Sequence, residues 1–204
     1  MVRDYREKRR GKNPGRKSSK GSADRKSTAY VPQVKKFETV EITELGRRGD
    51  GIAKLENGDS CFVPYTLAGE TIAIAHNENR AEIVEIKKAS PDRIEPFCPH
   101  FANCGGCATQ HVSQTTYKEW KRGIVESALI NKGLTSEIDP LIDAHGAGRR
   151  RVTFHAKREK NQVQAGLMKH RSHRILDLDT CPILTPELAS GIEIARGFAA
   201  FVPS

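Results

Sequence analysis

No stretch of this 204-residue sequence approaches the roughly 20 consecutive apolar residues that a membrane-spanning helix needs. The opening residues, MVRDYREKRR, carry charge with no apolar core behind it, so a secretory signal is not expected. They also lack regularly spaced apolar positions, so an amphipathic transit peptide is not expected. The five cysteines are an odd number, and a disulfide framework, which suits small secreted domains, is a poor match for them. No internal repeat is visible. The absences leave a soluble cytoplasmic chain, with metal binding as the better use of its cysteines.

Excess charge is missing from most of the chain as well. Residues 37–204 hold 21 Lys/Arg against 22 Asp/Glu, whereas residues 1–36 hold 13 against 3. The net charge of +9 therefore originates in the opening segment. Rich in Lys, Arg, Ser and Gly and nearly free of apolar residues, segment 1–36 is expected to be a disordered basic tail. Such a tail is either a solvated solubilising segment or a polyelectrolyte arm for nucleic acid. Contacts of the second kind release condensed counterions and weaken with salt.

From Phe37 the pattern changes. FETVEITEL alternates apolar and polar residues, with Leu45 out of step at its end, and reads as a strand. IAKLENG, DSCFVPY, ETIAIAH and RAEIVEIKKAS come next, separated by Gly, Asn and Asp. Five short β runs without a helix predict a small closed barrel of the OB type over 37–91, a common oligonucleotide-binding shape. Cys61 lies in one of these runs, where a small buried apolar residue is expected. SPDRIEP closes the barrel and leads into the cysteine-rich stretch.

Beyond it, TTYKEWKRGIVESALINKGL predicts a helix over 116–132. Thr116 and Glu119 form a capping-box pattern, Tyr117, Trp120, Ile124, Val125, Ala128 and Leu129 keep helical spacing, and Gly133 suits the C-terminal cap. IDPLIDAHGAG is a loop. RRRVTFHAKRE and QVQAGLMKHRSHRILDLDTC then predict strands joined by a KNQ turn. Between Arg149 and Arg174, nine Lys/Arg stand against one Glu, a second basic patch on folded elements. Thr185 as N-cap and Pro186 at the first helical position open a second helix in TPELASGIEIARGFAAF. The chain is therefore read as α+β: a tail over 1–36, a barrel over 37–91 and a cysteine-rich α/β domain over 92–204.

The chemistry concentrates in CPHFANCGGC, residues 98–107. Thiolates at i, i+6 and i+9 cannot share one helix face or strand, but they can wrap a compact cluster if the loop between them curls. Gly105 and Gly106 allow close backbone approach, with N–H groups free to donate to cluster sulfurs. A [4Fe-4S] cluster needs a fourth ligand, and Cys181 in DTCPIL stands out; like Cys98, it is followed by proline. Structural zinc would also take four cysteines, usually as two close pairs. A thioredoxin-like C-x-x-C would sit at a helix N-terminus in a βαβ setting. The spacing favours iron–sulfur and leaves zinc open.

Taken in order, these pieces resemble the class I RNA 5-methyluridine methyltransferases of bacteria, which modify uracil in ribosomal and transfer RNA. Residues 37–91 are similar to the TRAM domain, CPHFANCGGCATQH to the family's C-x5-C-G-G-C signature, and YKEWKRGIVESAL to its following helix. GRRRVTFHA resembles the Arg-rich strand after that helix, and GLMKHRSHRILDLDTCPILTPEL the segment with the fourth ligand. The resemblance implies that Cys98, Cys104, Cys107 and Cys181 hold a structural [4Fe-4S] cluster, with Cys61 outside the set. It places Arg149, Arg150 and Arg151 where the family has an Arg-rich strand facing RNA.

The family's catalytic domain is Rossmann-like, binds S-adenosylmethionine, and supplies a nucleophilic cysteine and a D-P-P-R-x-G type motif. None of these is found in this sequence: IDPL is not that motif, and neither GRRGDG nor HGAGR has the right setting for a cofactor loop. The expectation is the RNA-recognition and iron–sulfur portion of such an enzyme, inactive alone, with S-adenosylmethionine bound only in a full-length or complemented enzyme. Its partners would be ribosomal or transfer RNA and a catalytic domain or partner chain packed on helix 116–132, whose Tyr117/Trp120/Ile124 face would be exposed without it. The alternative is a stand-alone RNA-binding module with a structural metal site. A radical S-adenosylmethionine enzyme is disfavoured by the x5 spacing, the fourth cysteine and the N-terminal position of the β module.

Overall fold

The computed structural model describes residues 35–143, 148–159 and 162–201. Positions 1–34 of the expected tail, the first two residues of the KNQ turn and most of HGAG lie outside the described residues. Strand alternation after Phe37 produces β1 (Lys36–Leu45), in which Val40 and Ile42 point inward. β2 (Asp50–Lys54), β3 (Ser60–Pro64), β4 (Thr71–Asn77) and β5 (Arg80–Lys88) complete a closed barrel in the order β1-β2-β3-β5-β4. β1 runs antiparallel to both β2 and β4, and a parallel contact between Phe62 of β3 and Arg80 of β5 closes the ring. This is the five-stranded OB-type arrangement expected from the sequence. Leu45 is out of step because the β1–β2 register shifts between Ile42 and Glu44; such an irregularity bends the strand. Ile42, Cys61, Val63 and Ile72 are fully enclosed in the barrel core. Burying each of the aliphatic ones contributes about 1.5–3 kcal/mol.

A buried ion pair ties the barrel to the segment behind it. Glu70, at the start of β4, has no solvent exposure, and its carboxylate accepts from Arg93 Nε at 2.6 Å and Nη2 at 2.8 Å. The Leu67 and Ser90 backbone N–H groups donate to the same carboxylate. Arg93 also donates to the Tyr65 carbonyl at 2.8 Å. Burial pushes the Glu70 carboxyl up, but the Arg93 hydrogen bonds and the two backbone donors outweigh it and hold its pKa below the usual range. SPDRIEP is thus pinned under the barrel by charge.

The helix α1 spans Gln114–Ile130 and begins earlier than Thr116. Ser113, not the Thr116/Glu119 pair, is its N-cap, its hydroxyl accepting from the Thr116 N–H. Gly133 ends it as expected: at φ +69° its N–H reaches the Ile130 carbonyl while that of Leu134 reaches Leu129, a Schellman closure. The Tyr117/Trp120/Ile124 face is not left bare. Each of the three is half-buried, and Trp120 Nε1 donates to the Gly46 carbonyl in the β1–β2 turn.

In the second half, β6 (His155–Glu159), β7 (Gln162–Met168) and β8 (Ile175–Asp177) form an antiparallel sheet in that order. The expected strand through RRRVTFHAKRE is confined to β6. Arg149 to Phe154 run irregularly, with one isolated bridge from Arg149 to Leu184, and Phe154 and Val152 turn toward the core below. The helix foreseen from Pro186 is divided into a 3-10 turn over Pro186–Leu188 and α2 over Gly191–Phe201. Ile192 of α2 joins Ala165, Leu167, Leu178 and Cys104 in a second core. The Arg196 guanidinium fastens α2 to the sheet through the Val163 and Leu178 carbonyls and Asp177. Among the described residues no helix is long and apolar enough to cross a membrane.

Candidate metal centre

The loop bearing the first three cysteines is wound by its own backbone. The Phe101 N–H donates to the Cys98 carbonyl, and the Asn103 and Cys104 N–H groups both donate to the His100 carbonyl. Its far side is laced to the end of β7: Gly105 N–H to the Met168 carbonyl, His170 N–H to the Asn103 carbonyl, and a Cys104–Lys169 bridge. The segment with Cys181 returns from β8 along the same core. Cys98, Cys104, Cys107 and Cys181 consequently line one enclosed void, together with Phe101, Gln110, Arg149 and Leu167. Cys61 lies apart from it, in the barrel core.

The void is about 20 Å³, near the room of one water and too small for an organic ligand. Among the described residues, no group of three or more His, Cys, Asp or Glu is close enough to hold a single metal ion. Thiolates on a tetrahedral zinc, with Zn–S near 2.3 Å, would stand roughly 3.8 Å from one another.

Backbone approach is closest at Gly106. A Cβ there would lie 2.9 Å from Leu167 Cδ1 and 3.3 Å from Cys104 Sγ, so any side chain would press on the site. The Gly106 N–H already donates to Cys104 Sγ at 3.4 Å. Arg149 joins the two cysteine segments. Its Nη2 donates to the Gly106 carbonyl at 2.8 Å, while its backbone pairs with Ile183 and Thr185 beside Cys181. Arg149 is thereby turned toward the cysteines and is half-buried, whereas Arg150 and Arg151 are both exposed. Nothing in their spacing distinguished the first arginine from the other two.

Burial pushes the Cys107 and Cys181 thiols above their usual pKa, and neighbouring cysteines push the same way. The Arg149 guanidinium opposes both shifts. Cys104 and Cys181 act on Cys107, Cys104 and Cys98 act on Cys181, and Arg149 is the cation placed to offset both.

Beside this site the cysteine loop meets the barrel in a cleft of about 780 Å³, lined by Lys35, Arg48, Arg80, Arg171, Gly105 and Cys107. Asp50 stands in the cleft, accepting from Arg171 Nη2 at 2.7 Å and from Arg80 Nη1 at 3.4 Å. The Arg80 guanidinium also covers the Phe62 ring, 5.4 Å from its centroid. A second cleft, also about 780 Å³, runs along the open face of the β6–β8 sheet past Lys157, Lys169, His173 and Arg174. The sequence marked the basic composition of 149–174 but gave no sign that Arg48 and Arg80 would join it across the barrel.

An OB-type barrel joined to a four-cysteine site and flanked by basic clefts defines a class, and residues 33–91 match the family model described as the TRAM domain. Over longer stretches the chain is 41% identical across 172 residues to an uncharacterized RNA methyltransferase of Rhizobium meliloti, covering 81% of this chain and 41% of that protein. A Brucella suis protein, also named an uncharacterized RNA methyltransferase, is 38% identical over 163 residues, covering 80% of this chain and 39% of its own length. The 23S rRNA (uracil(1939)-C(5))-methyltransferase RlmD of Halomonas elongata is 34% identical over 157 residues, covering 73% and 32%. The chain carries a TRAM domain and is similar to these RNA methyltransferases over the part it shares with them, and it spans about two fifths of the length of the Rhizobium and Brucella proteins.

Proposed function

We propose that this chain is the RNA-recognition and iron–sulfur portion of an S-adenosylmethionine-dependent RNA 5-methyluridine methyltransferase acting on ribosomal or transfer RNA in the cytoplasm. In this reading residues 37–91 bind RNA and residues 92–204 form the cluster-bearing domain. The observation that carries it is the convergence of Cys98, Cys104, Cys107 and Cys181 on one void beside an RNA-binding type of barrel. The donor set fits a [4Fe-4S] cluster: four thiols, a glycine pair that clears the backbone, one N–H on sulfur and one nearby cation. A cluster exceeds the present void, so loading it spreads the thiols; Cys98, Cys107 and Cys181 are only half-buried and have room to yield.

When bound, the cluster supplies a structural clip joining the cysteine loop to the Cys181 segment. The Gly106 N–H and the Arg149 guanidinium stabilise the negative charge of the thiolates around it. Arg150 and Arg151, with Arg48 and Arg171 of the cleft, meet RNA phosphates. Uracil methylation is the activity in the name of the Halomonas relative; here the methyl donor is bound by the remainder of the enzyme or by a complementing chain, and this portion alone transfers no methyl group.

Iron, sulfide and zinc analysis with a visible spectrum, on anaerobically purified protein, tests the site. Four irons with matching sulfide and a brown chromophore, lost in Cys181→Ser and kept in Cys61→Ser, are expected. A colourless protein with one zinc overturns the cluster. Turnover of labelled S-adenosylmethionine on RNA by this chain alone overturns its assignment as a portion.

A further inference from the structure

Gln110 comes just after the cysteine loop in CATQH, and its side chain lines the same void as the four thiols. One hydrogen bond orients its carboxamide: the Cys98 backbone N–H donates to Gln110 Oε1 at 3.2 Å. The reversed amide would set N–H against N–H, so the nitrogen must face the other way. That nitrogen, Nε2, is shielded from solvent and completes no hydrogen bond. Native interiors seldom leave a buried amide donor unpaired, and one that is unpaired calls for a missing acceptor. The chemistry beside it is sulfur. Cys107, three residues before Gln110 in the chain, lines the same void, and no aligned hydrogen bond joins the two.

We infer that Gln110 is a positioning residue of the cluster site, its Nε2–H donated to sulfur at the Cys107 corner of the bound cluster while its Oε1 anchors the Cys98 end of the loop. This rests on the iron–sulfur reading above. One side chain then spans the first and third ligand-bearing turns, and the free thiols simply lack the acceptor that the donor awaits. A donor to a cluster sulfur stabilises the more negative, reduced state, so it raises the reduction potential and strengthens ligation.

The test uses the full chain, purified anaerobically or reconstituted with iron and sulfide, as wild type, Gln110→Leu and Gln110→Glu. The glutamate keeps an oxygen for the Cys98 N–H but replaces the donor by a carboxylate, which separates the donor's role from loop anchoring; the uncharged leucine separates it from the added negative charge. Far-UV circular dichroism confirms that the barrel is folded in each. A redox titration followed by electron paramagnetic resonance should place both variants at a more negative midpoint than wild type. Iron release to a chelator should be about tenfold faster or more, as is common when the support of a metal ligand is removed. Loaded variants with unchanged midpoint and unchanged release overturn the role of Gln110 and leave the cluster standing. A wild-type chain that takes up no iron and sulfide overturns the cluster reading, and the role of Gln110 with it.

Discussion

His111 has no solvent exposure, and neither ring nitrogen completes a hydrogen bond. It packs against Phe101 and Tyr65, with Tyr65 in turn on His170, in an aromatic seam between barrel and cysteine loop. Burial drives its pKa down to about 4, the Arg93 guanidinium adds to this, and the Thr66 backbone and Glu70 oppose it. The unfolded chain takes up this proton near pH 6.5 and the folded chain only near pH 4. His111 therefore contributes stability that is complete above about pH 6.5 and is lost as the pH falls toward 4. Glu70, whose pKa is lowered, loses its contribution on the acid side as well. Urea unfolding should show roughly 2 kcal/mol less stability at about pH 5 than at about pH 7.5 from His111 alone. His111→Phe should flatten that slope; an unchanged slope would mean that the histidine is not the sensor. The sequence offered His111 only as a residue near the cysteines, since its burial arises from Tyr65 and Phe101, which come from different segments.

At the scale of elements, strand alternation was legible because one face of each barrel strand is buried and the other wet. The helix start was less so. Gln114 and Thr115 are polar and exposed, so the apolar spacing says nothing about the first turn, and Thr116 with Glu119 imitates a cap that Ser113 supplies. Ser113→Ala should cost about 1 kcal/mol, and Thr116→Ala distinctly less, when helix content is followed through thermal unfolding. Equal losses would restore Thr116 as the cap. The irregular path of Arg149 to Phe154 was hidden for a different reason. Three arginines in a row with Val152, Thr153 and Phe154 behind them have strand propensity, but the parallel bridge to Leu184 and the reach of Arg149 to Gly106 are tertiary and override it.

For the whole molecule, the sequence singled out the four cysteines that line one void, while Gln110 and the inward turn of Arg149 depended on how the two segments fold onto each other. That difference can be read in RNA binding. Affinity for a single-stranded RNA should fall linearly with salt on a logarithmic plot. Replacing both Arg150 and Arg151 by alanine should reduce the slope by about one for each phosphate that is no longer neutralised. Arg149→Ala should leave the slope nearly as it was while loosening the cysteine loop, because its guanidinium is engaged by Gly106. A slope that drops equally for all three arginines would return Arg149 to the RNA surface.

The placement of Cys181 after α1 and all three strands of the second sheet has a consequence for biosynthesis. Ribosomal synthesis delivers the barrel first and the loop with Cys98, Cys104 and Cys107 directly behind it. Those three thiols are then presented to the cell while the fourth corner is still untranslated. If the four cysteines hold the cluster proposed above, iron offered at that moment meets an open, oxidisable tripod, productive loading waits until Cys181 has been made, and an early oxidant would strike the chain while it is still on the ribosome.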